Sequence, residues 1–391
     1  MKKGYVYLDH AATTPLDPEA LKAMLPFLKA KFGNASALCS MGREAKQSVE
    51  EARRKAALLI GAEPEEIYFT SGGSESDNWA VFGAVRARPK KNAHIITSRI
   101  EHHAVLEPCR ILEKQGFAVS YLPVDSKGFV NPDDARKAVT PQTVLISIMH
   151  ANNEIGTIEP VEEIGALAQA KGVHFHVDAV QTAGHIPVEV NKIGCDSLSL
   201  SGHKFNGPKG GGALYLRKGA GLEKLIAGGG QEKTQRAGTY NVPGIVGLGK
   251  AAELAMQRMP NAIKEMTALR DKLISGIESS IKGVALNGDR LSRLPNNVNF
   301  SITGIEGESL ILAMDMEGFC VSTGAACASG SLEPSHVLLA IGCSPDLAHS
   351  ALRLTLGAGN NDQQIARVLE ALPRVVAALR KMTPAPSPTK R

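Results

Sequence analysis

Short apolar runs recur between residues 45 and 250, spaced so that one helix fits between most neighbours. IYF (67–69), HIITS (94–98), VSYLPV (119–124), VLISIM (144–149), VHFHVDA (173–179), SLSLS (197–201) and ALYLR (213–217) have the length and composition of strands. The intervening Glu75–Arg86, Val105–Gln115 and Val161–Lys171 have helix length and spacing. Such alternation predicts an α/β fold with a mainly parallel central sheet covered by helices, whose ligands bind beyond the carboxyl ends of the strands. Past Gly249 the pattern changes to a long helical stretch (about 250–282), then NNVNFSI, a helix-like GESLILAMDMEG and a final helix near 362–381, which predict a smaller α+β lobe. A chain of 391 residues exceeds what one hydrophobic core usually supports. The expected units are a large domain over 14–255, a small domain made of 1–13 with 256–382, and a disordered tail over 383–391, TPAPSPTKR.

Composition narrows the classes of function. Apolar residues make up 43% and charged residues 21%, and the net charge of +5 is not gathered into a basic block, so no nucleic-acid partner is implied. No apolar run approaches the length of a membrane span, and MKKGYVYLDH lacks the apolar core of a signal peptide, so a cytoplasmic protein is expected. The six cysteines (39, 109, 195, 320, 327, 343) include no CxxC pair and fit neither a disulfide framework nor a zinc knuckle.

Several strand ends carry residues that a core would not select. TSGGSESDN follows IYF as a glycine turn into a helix, where Gly73, Ser74 and the first amides suit a phosphate, although a serine cap explains Ser74 equally well. EHHAV follows HIITS and places His102 or His103 where an imidazole can stack on an aromatic ring; a solvated turn is the alternative. HANNEIG follows VLISIM and offers Asn152 and Asn153, residues that also shape turns. Asp178 closes the strand VHFHVDA, and a buried carboxylate there calls for a cation such as a protonated pyridine nitrogen. Gln181 lies three positions on, within reach of a neighbouring ring oxygen. Lys204 stands on the glycine-rich loop after SLSLS, a setting that lowers an amine's pKa for Schiff-base chemistry. An anchoring acid, an amine and a phosphate cradle together are what pyridoxal phosphate requires.

One thiol stands apart. Cys327 lies in VSTGAACASGSLEPSHVL (321–338) among residues too small and polar to pack a core, whereas Cys320 in GFCVS looks like an ordinary packed cysteine. The surroundings of Cys327 suit a thiol held out to react, on a loop whose glycines permit movement.

At these residues the chain resembles the class V, fold type I, pyridoxal-phosphate enzymes and, within them, the cysteine desulfurases of the NifS/IscS group. The resemblance covers nearly the whole chain: YLDHAATTP (7–15), TSGGSESDN (70–78), EHHAVLEPCR, HANNEIG (150–156), HVDAVQTAG (176–184), SGHKFNGPKG (201–210), RAGTYNVPGIVGLGKA (236–251), STGAACAS, SLEPSHVL (331–338) and AHSALRLTLG (348–357). RAGTYNVPGIVGLGKA is nearer the NifS branch.

The resemblance implies that Lys204 carries the cofactor as a Schiff base, that Asp178 pairs with the pyridinium nitrogen, that Gln181 and Asn153 bind near the ring oxygen and that His102 stacks on the ring. Gly73, Ser74, Ser201 and His203 would hold the phosphate, with Thr239 reaching across from the other subunit of a homodimer. Arg353 and Asn34 would bind the substrate, Arg353 through its carboxylate. Cys327 would take sulfur from L-cysteine as a persulfide, leaving alanine, and pass it to an iron–sulfur scaffold or another acceptor protein. No resident metal is implied, and any contact of Cys327 with an iron–sulfur cluster would be transient. The alternatives are a selenocysteine lyase, another class V activity or an inactive sulfur-trafficking scaffold. One segment departs from the pattern: in GNASALCSMG (33–42) Ala35 replaces the family's proline and Cys39 its histidine, while Asn34 is kept.

Overall fold

The computed structural model describes residues 4–88, 92–324 and 333–382. Twelve strands are found among them: β1 (Val6–Tyr7), β2 (Ile67–Thr70), β3 (His94–Ser98), β4 (Ala118–Leu122), β5 (Thr143–Met149), β6 (His174–Asp178), β7 (Ser197–Ser201), β8 (Gly212–Leu216), β9 (Val284–Leu286), β10 (Asn297–Ile302), β11 (Phe319–Cys320) and β12 (Ala351–Thr355). β2 to β8 form the central sheet in the order β2-β8-β7-β6-β5-β3-β4. The seven apolar runs of the sequence are these seven strands; HIITS and SLSLS match at both ends and the other five are shifted by at most two residues. Strands β7, β6, β5, β3 and β4 run parallel, whereas β8 is antiparallel to both β7 and β2. The reversal has a local cause. Residues 202–211 between β7 and β8 hold only a short 3-10 turn, Gly202–Lys204, too little chain for a parallel crossover.

The carboxyl ends of the strands feed helices that set up the site. In the N-terminal segment α1 (Pro18–Lys29) starts with proline in its first turn and with Asp17 Oδ1 accepting from Glu19 N at 2.8 Å, and α2 (Ser40–Leu59) follows. α3 (Gly73–Ala87) begins directly after β2, and α4 (His103–Lys114) after β3, capped by His102 Nδ1, which accepts from Ala104 N at 3.1 Å. Every residue of β5, β6 and β7 is buried, as expected of strands with helices on both faces.

Two hydrophobic cores lie on either side of the long helix Val242–Ser280. Its first half contributes Val242, Ile245, Leu248 and Met259 to the core of the large sheet. Its second half contributes Leu269, Leu273, Ile274 and Ile277 to a second core with β10, β12 and the helix Asp362–Met382. The small sheet has the order β12-β10-β9, all antiparallel. β1 pairs in parallel with β11, so the amino end of the chain belongs to this second core. None of the described helices is long and apolar enough to cross a membrane.

Candidate active site

A cavity of about 310 Å³ opens at the carboxyl ends of β5, β6 and β7, between the two cores. Its wall holds Gly73, Ser74, His102, Asn153, Asp178, Gln181, Ser201, His203, Lys204 and Arg353, ten residues that the sequence places at ten separate positions. They meet here because parallel strands bring their carboxyl ends to one edge of the sheet.

Lys204 ends the short turn after β7, and its Nζ donates to Ala11 O at 2.5 Å and to Ala12 O at 3.0 Å. Gln181 Nε2 donates to the same Ala11 O at 3.0 Å. Asp178 closes β6 fully buried and forms no ion pair among the described residues. Its Oδ1 accepts from Val180 N at 2.9 Å. Burial, and after it the neighbouring Asp77, push its carboxyl up to about 7. A buried carboxyl in this state favours any arrangement that sets a cation against it.

His102 is neutral. Burial, followed by the charge of Lys204, pulls its imidazole down to about 4, and its Nδ1 is already an acceptor at the cap of α4. His103 points elsewhere, half-exposed with its ring 4.9 Å from that of His336, so the structure selects His102 from the pair.

The floor of the cavity is the amino end of α3, whose first amides and helix dipole favour an anion. Gly73 is required there by packing: a Cβ would lie 2.6 Å from Val180 Cγ2. Ser74 on the helix and Ser201 at the end of β7 add hydroxyls, and His203, whose Nδ1 pairs with Thr13 Oγ1 at 3.1 Å, adds an imidazole drawn down to about 4 by burial and by Lys204. An anion cradle, a buried carboxyl that makes no ion pair among the described residues and an amine therefore line one small cavity, and this donor set fits a phosphorylated pyridine.

Arg353 lies on β12, buried, and crosses from the small lobe into the cavity. Its Nη2 donates to Asp9 Oδ1 at 2.8 Å and its Nη1 to Asn153 O at 2.9 Å and Gly324 O at 3.3 Å, while Nε has no partner among the described residues. The strand SALRLTL would by itself read as an exposed edge; the structure places its arginine inside. Gly324, also on the wall, has φ +100°, and a Cβ there would crowd Glu154 Oε2 at 3.2 Å. Ser335 Oγ donates to the same Glu154 Oε2 at 2.5 Å. Glu154 thus anchors the chain at Ser335 and leaves little room for a side chain at Gly324, while Cys327 lies outside the described residues.

Two expected site residues are not on this wall. Asn34 is exposed, and its Oδ1 accepts from Ser36 N at 2.9 Å: the carboxamide shapes its own turn rather than the cavity of the same protomer. Thr239 is exposed on the segment before the long helix, also outside this cavity. Cys39 is exposed at the start of α2. Conversely, the stretch Asp9–Thr14 supplies carbonyls to Lys204 and Gln181, a carboxylate to Arg353 and hydroxyls to the 203–206 turn. In the sequence this stretch is marked by the motif YLDHAATTP, whose residue types alone assign it no role.

Residues 6–368 match the family described as aminotransferase class-V. The cysteine desulfurase IscS of Dictyoglomus turgidum is 56% identical over 382 residues, covering 98% of this chain and 97% of that protein. That of Methanosarcina thermophila is 53% identical over 97% of this chain and 94% of its own. A solved NifS-like protein superposes with a TM-score of 0.90 at 40% identity, covering 96% of this chain and all of the other. Both of these relatives bear the name IscS, whereas the motif RAGTYNVPGIVGLGKA by itself suggests the NifS branch. With its fold, its cavity and similarity along almost its whole length in agreement, the chain belongs to the class-V aminotransferases, a pyridoxal-phosphate family, and within them to the cysteine desulfurases of the IscS/NifS kind.

Proposed function

We propose that the cavity binds pyridoxal 5′-phosphate and that the chain uses it to move sulfur from L-cysteine onto Cys327, releasing L-alanine. The observation that carries this reading is the position of Gly324. It lies on the cavity wall, three residues before Cys327, and three extended residues span at most about 10 Å. The thiol is therefore within one short loop of a substrate held between Lys204 and Arg353.

Lys204 would hold the cofactor covalently, Asp178 would face its ring nitrogen, His102 would cover the ring, Gln181 and Asn153 would lie near the ring oxygen, and Gly73, Ser74, Ser201 and His203 would take the phosphate. Bound there, the cofactor supplies an electron sink that loosens bonds at the substrate's α-carbon. Arg353 orients the substrate through its carboxylate, its Asp9 contact fixing the guanidinium plane. The Lys204 amine, kept near Ala11 and Ala12, moves a proton between substrate carbons. Cys327 attacks the substrate sulfur as a thiolate: an S–S bond forms, the Cβ–S bond breaks, and its electron pair ends in the methyl group of alanine. The persulfide then passes to an iron–sulfur scaffold or another sulfur-acceptor protein.

A homodimer is part of the reading. Leu21, Leu25, Leu28, Phe32, Leu38 and Met41 form an exposed apolar run from α1 to the start of α2, a surface suited to a second copy of the chain. Exposed Thr239 is then available to the partner's phosphate site.

The test is Cys327→Ala. The variant should retain the cofactor's absorbance and lose alanine formation from L-cysteine, while mass spectrometry of wild type finds one added sulfur on Cys327. Full turnover by the variant, or added sulfur on Cys39 instead, would refute the assignment.

A further inference from the structure

A file of buried polar groups runs from behind Asp178 to the surface. His174, His176 and Asp178 alternate along β6 and so share the face that packs on α3, which carries Asp77. The links are Arg88 Nη2 to His174 Nδ1 at 3.2 Å, His174 Nε2 to Ser197 Oγ at 2.9 Å, Ser197 Oγ to His176 Nδ1 at 3.0 Å and His176 Nε2 to Asp77 Oδ1 at 3.2 Å. His174, Ser197, His176 and Asp77 are all buried, and only Arg88, half-buried, reaches the surface.

The chemistry of the end member sets the direction of the first two bonds, and the remaining hydrogens are assigned in the one sense that continues the file. A guanidinium donates and never accepts, so His174 Nδ1 is the acceptor and its proton is on Nε2. That proton goes to Ser197, the single hydroxyl proton of Ser197 goes to His176 Nδ1, and the proton of His176, on Nε2, goes to Asp77. Burial keeps both imidazoles neutral, His176 down at about 4 and His174 well below its ordinary value, so neither reverses the file by taking a second proton. The file thus delivers an N–H to Asp77, which favours the ionised form against the burial that pushes this carboxyl up to about 7. Asp77 in turn lies beside Asp178, which is also faced by Lys204 and Glu101.

We propose that Asp77 is a positioning residue acting through Asp178: held as an acceptor by the file from Arg88, it adds the negative charge that keeps the cofactor's ring nitrogen protonated. The proposal rests on the reading of the cavity as a pyridoxal-phosphate site. It gives a purpose to two buried carboxyls side by side, an arrangement that a core would otherwise avoid.

The experiment uses holoenzyme loaded with pyridoxal phosphate labelled with ¹⁵N in the ring, the ring nitrogen being followed by NMR through a pH titration. Asp77→Asn keeps the shape and an acceptor for His176 but removes the charge. Its ring nitrogen should lose its proton about one pH unit or more earlier than in wild type, a tenfold weaker hold. If Asp77→Asn fails to load, His176→Leu and His176→Gln replace it: the leucine variant should shift the ring nitrogen in the same direction, and the glutamine variant, which can still donate to Asp77, should restore it. Variants indistinguishable from wild type in this titration, or an equal shift in His176→Leu and His176→Gln, would overturn the proposal. Wild-type protein that takes up no cofactor would instead refute the underlying reading of the cavity.

Discussion

Glu232→Gln tests the strongest buried ion pair of the large lobe. Glu232 and Arg53 are each 2% exposed and meet in two bonds of 2.8 Å, Nη1 to Oε2 and Nη2 to Oε1. Glu232 also accepts from Phe69 N at 2.9 Å, and Arg53 donates to Ile67 O at 2.6 Å, so the pair ties the 232–240 segment to the edge strand β2. Residues 232–234 all have positive φ (44°, 54° and 68°), a backbone that non-glycine residues adopt only under such restraint. The glutamine preserves volume but leaves a buried guanidinium opposed only by the half-exposed Glu50 at 3.2 Å. Removing one partner of a buried pair costs about 3–5 kcal/mol, and Glu50 should hold the loss near the lower figure. For a lobe of this size about 3 kcal/mol corresponds to a fall in Tm of roughly 6–12 °C. Calorimetry on cofactor-free protein measures it. The double variant Arg53→Met with Glu232→Leu should recover part of the loss, because no charge is then stranded, but not all, since Ile67 O and Phe69 N lose their partners. A Tm within about 2 °C of wild type for Glu232→Gln would refute the reasoning.

Three further outcomes are expected. Arg353→Lys keeps the charge but can no longer serve Asp9, Asn153 O and a substrate carboxylate together, so KM for L-cysteine should rise about tenfold, from the loss of roughly 1.5 kcal/mol of charge-assisted bonding; an unchanged KM in steady-state kinetics would contradict this. Glu159 is buried with Oε1 unpartnered among the described residues, and burial, opposed by the Val130 N–H and aided by Asp125, raises its carboxyl to about 8. A raised acid keeps its proton in the folded state, so its contribution is present below the ordinary value of 4.5 and lost as pH rises towards 8; the Tm advantage of Glu159→Gln over wild type should grow across that window and level off above it. Phe32→Glu with Leu28→Glu, both on the exposed apolar run that includes α1, should move the protein to monomer mass in light scattering and weaken cofactor retention; an unchanged dimer mass would place the interface elsewhere.

Local pattern carried most of the architecture. The seven central strands are short, apolar and bounded by turn residues, features that depend on a few neighbours only, and Val161–Lys171 was found with its limits unchanged. What escaped depended on distant partners. VHFHVDA reads as a strand, but that its two histidines form a file with Asp77 follows from how α3 packs on β6, which no local pattern records. Arg353 is ambiguous in SALRLTL until Asp9 arrives from the other end of the chain. The antiparallel course of β8 could have been read from the short 202–211 connection. Asn34 was placed by motif alone, and its side chain answers to the turn around it.

The pairing of β1 with β11 has a consequence for how the protein is made. Val6 and Leu8 are made long before Phe319, Leu352 and Val376, which share their core, and Asp9 waits for Arg353. The cavity that holds Lys204 and Gln181 is therefore unfinished until Arg353 has been made. A chain cut short before Arg353 lacks the Asp9–Arg353 side of the cavity, so the finished cavity is withheld from incomplete products by topology alone.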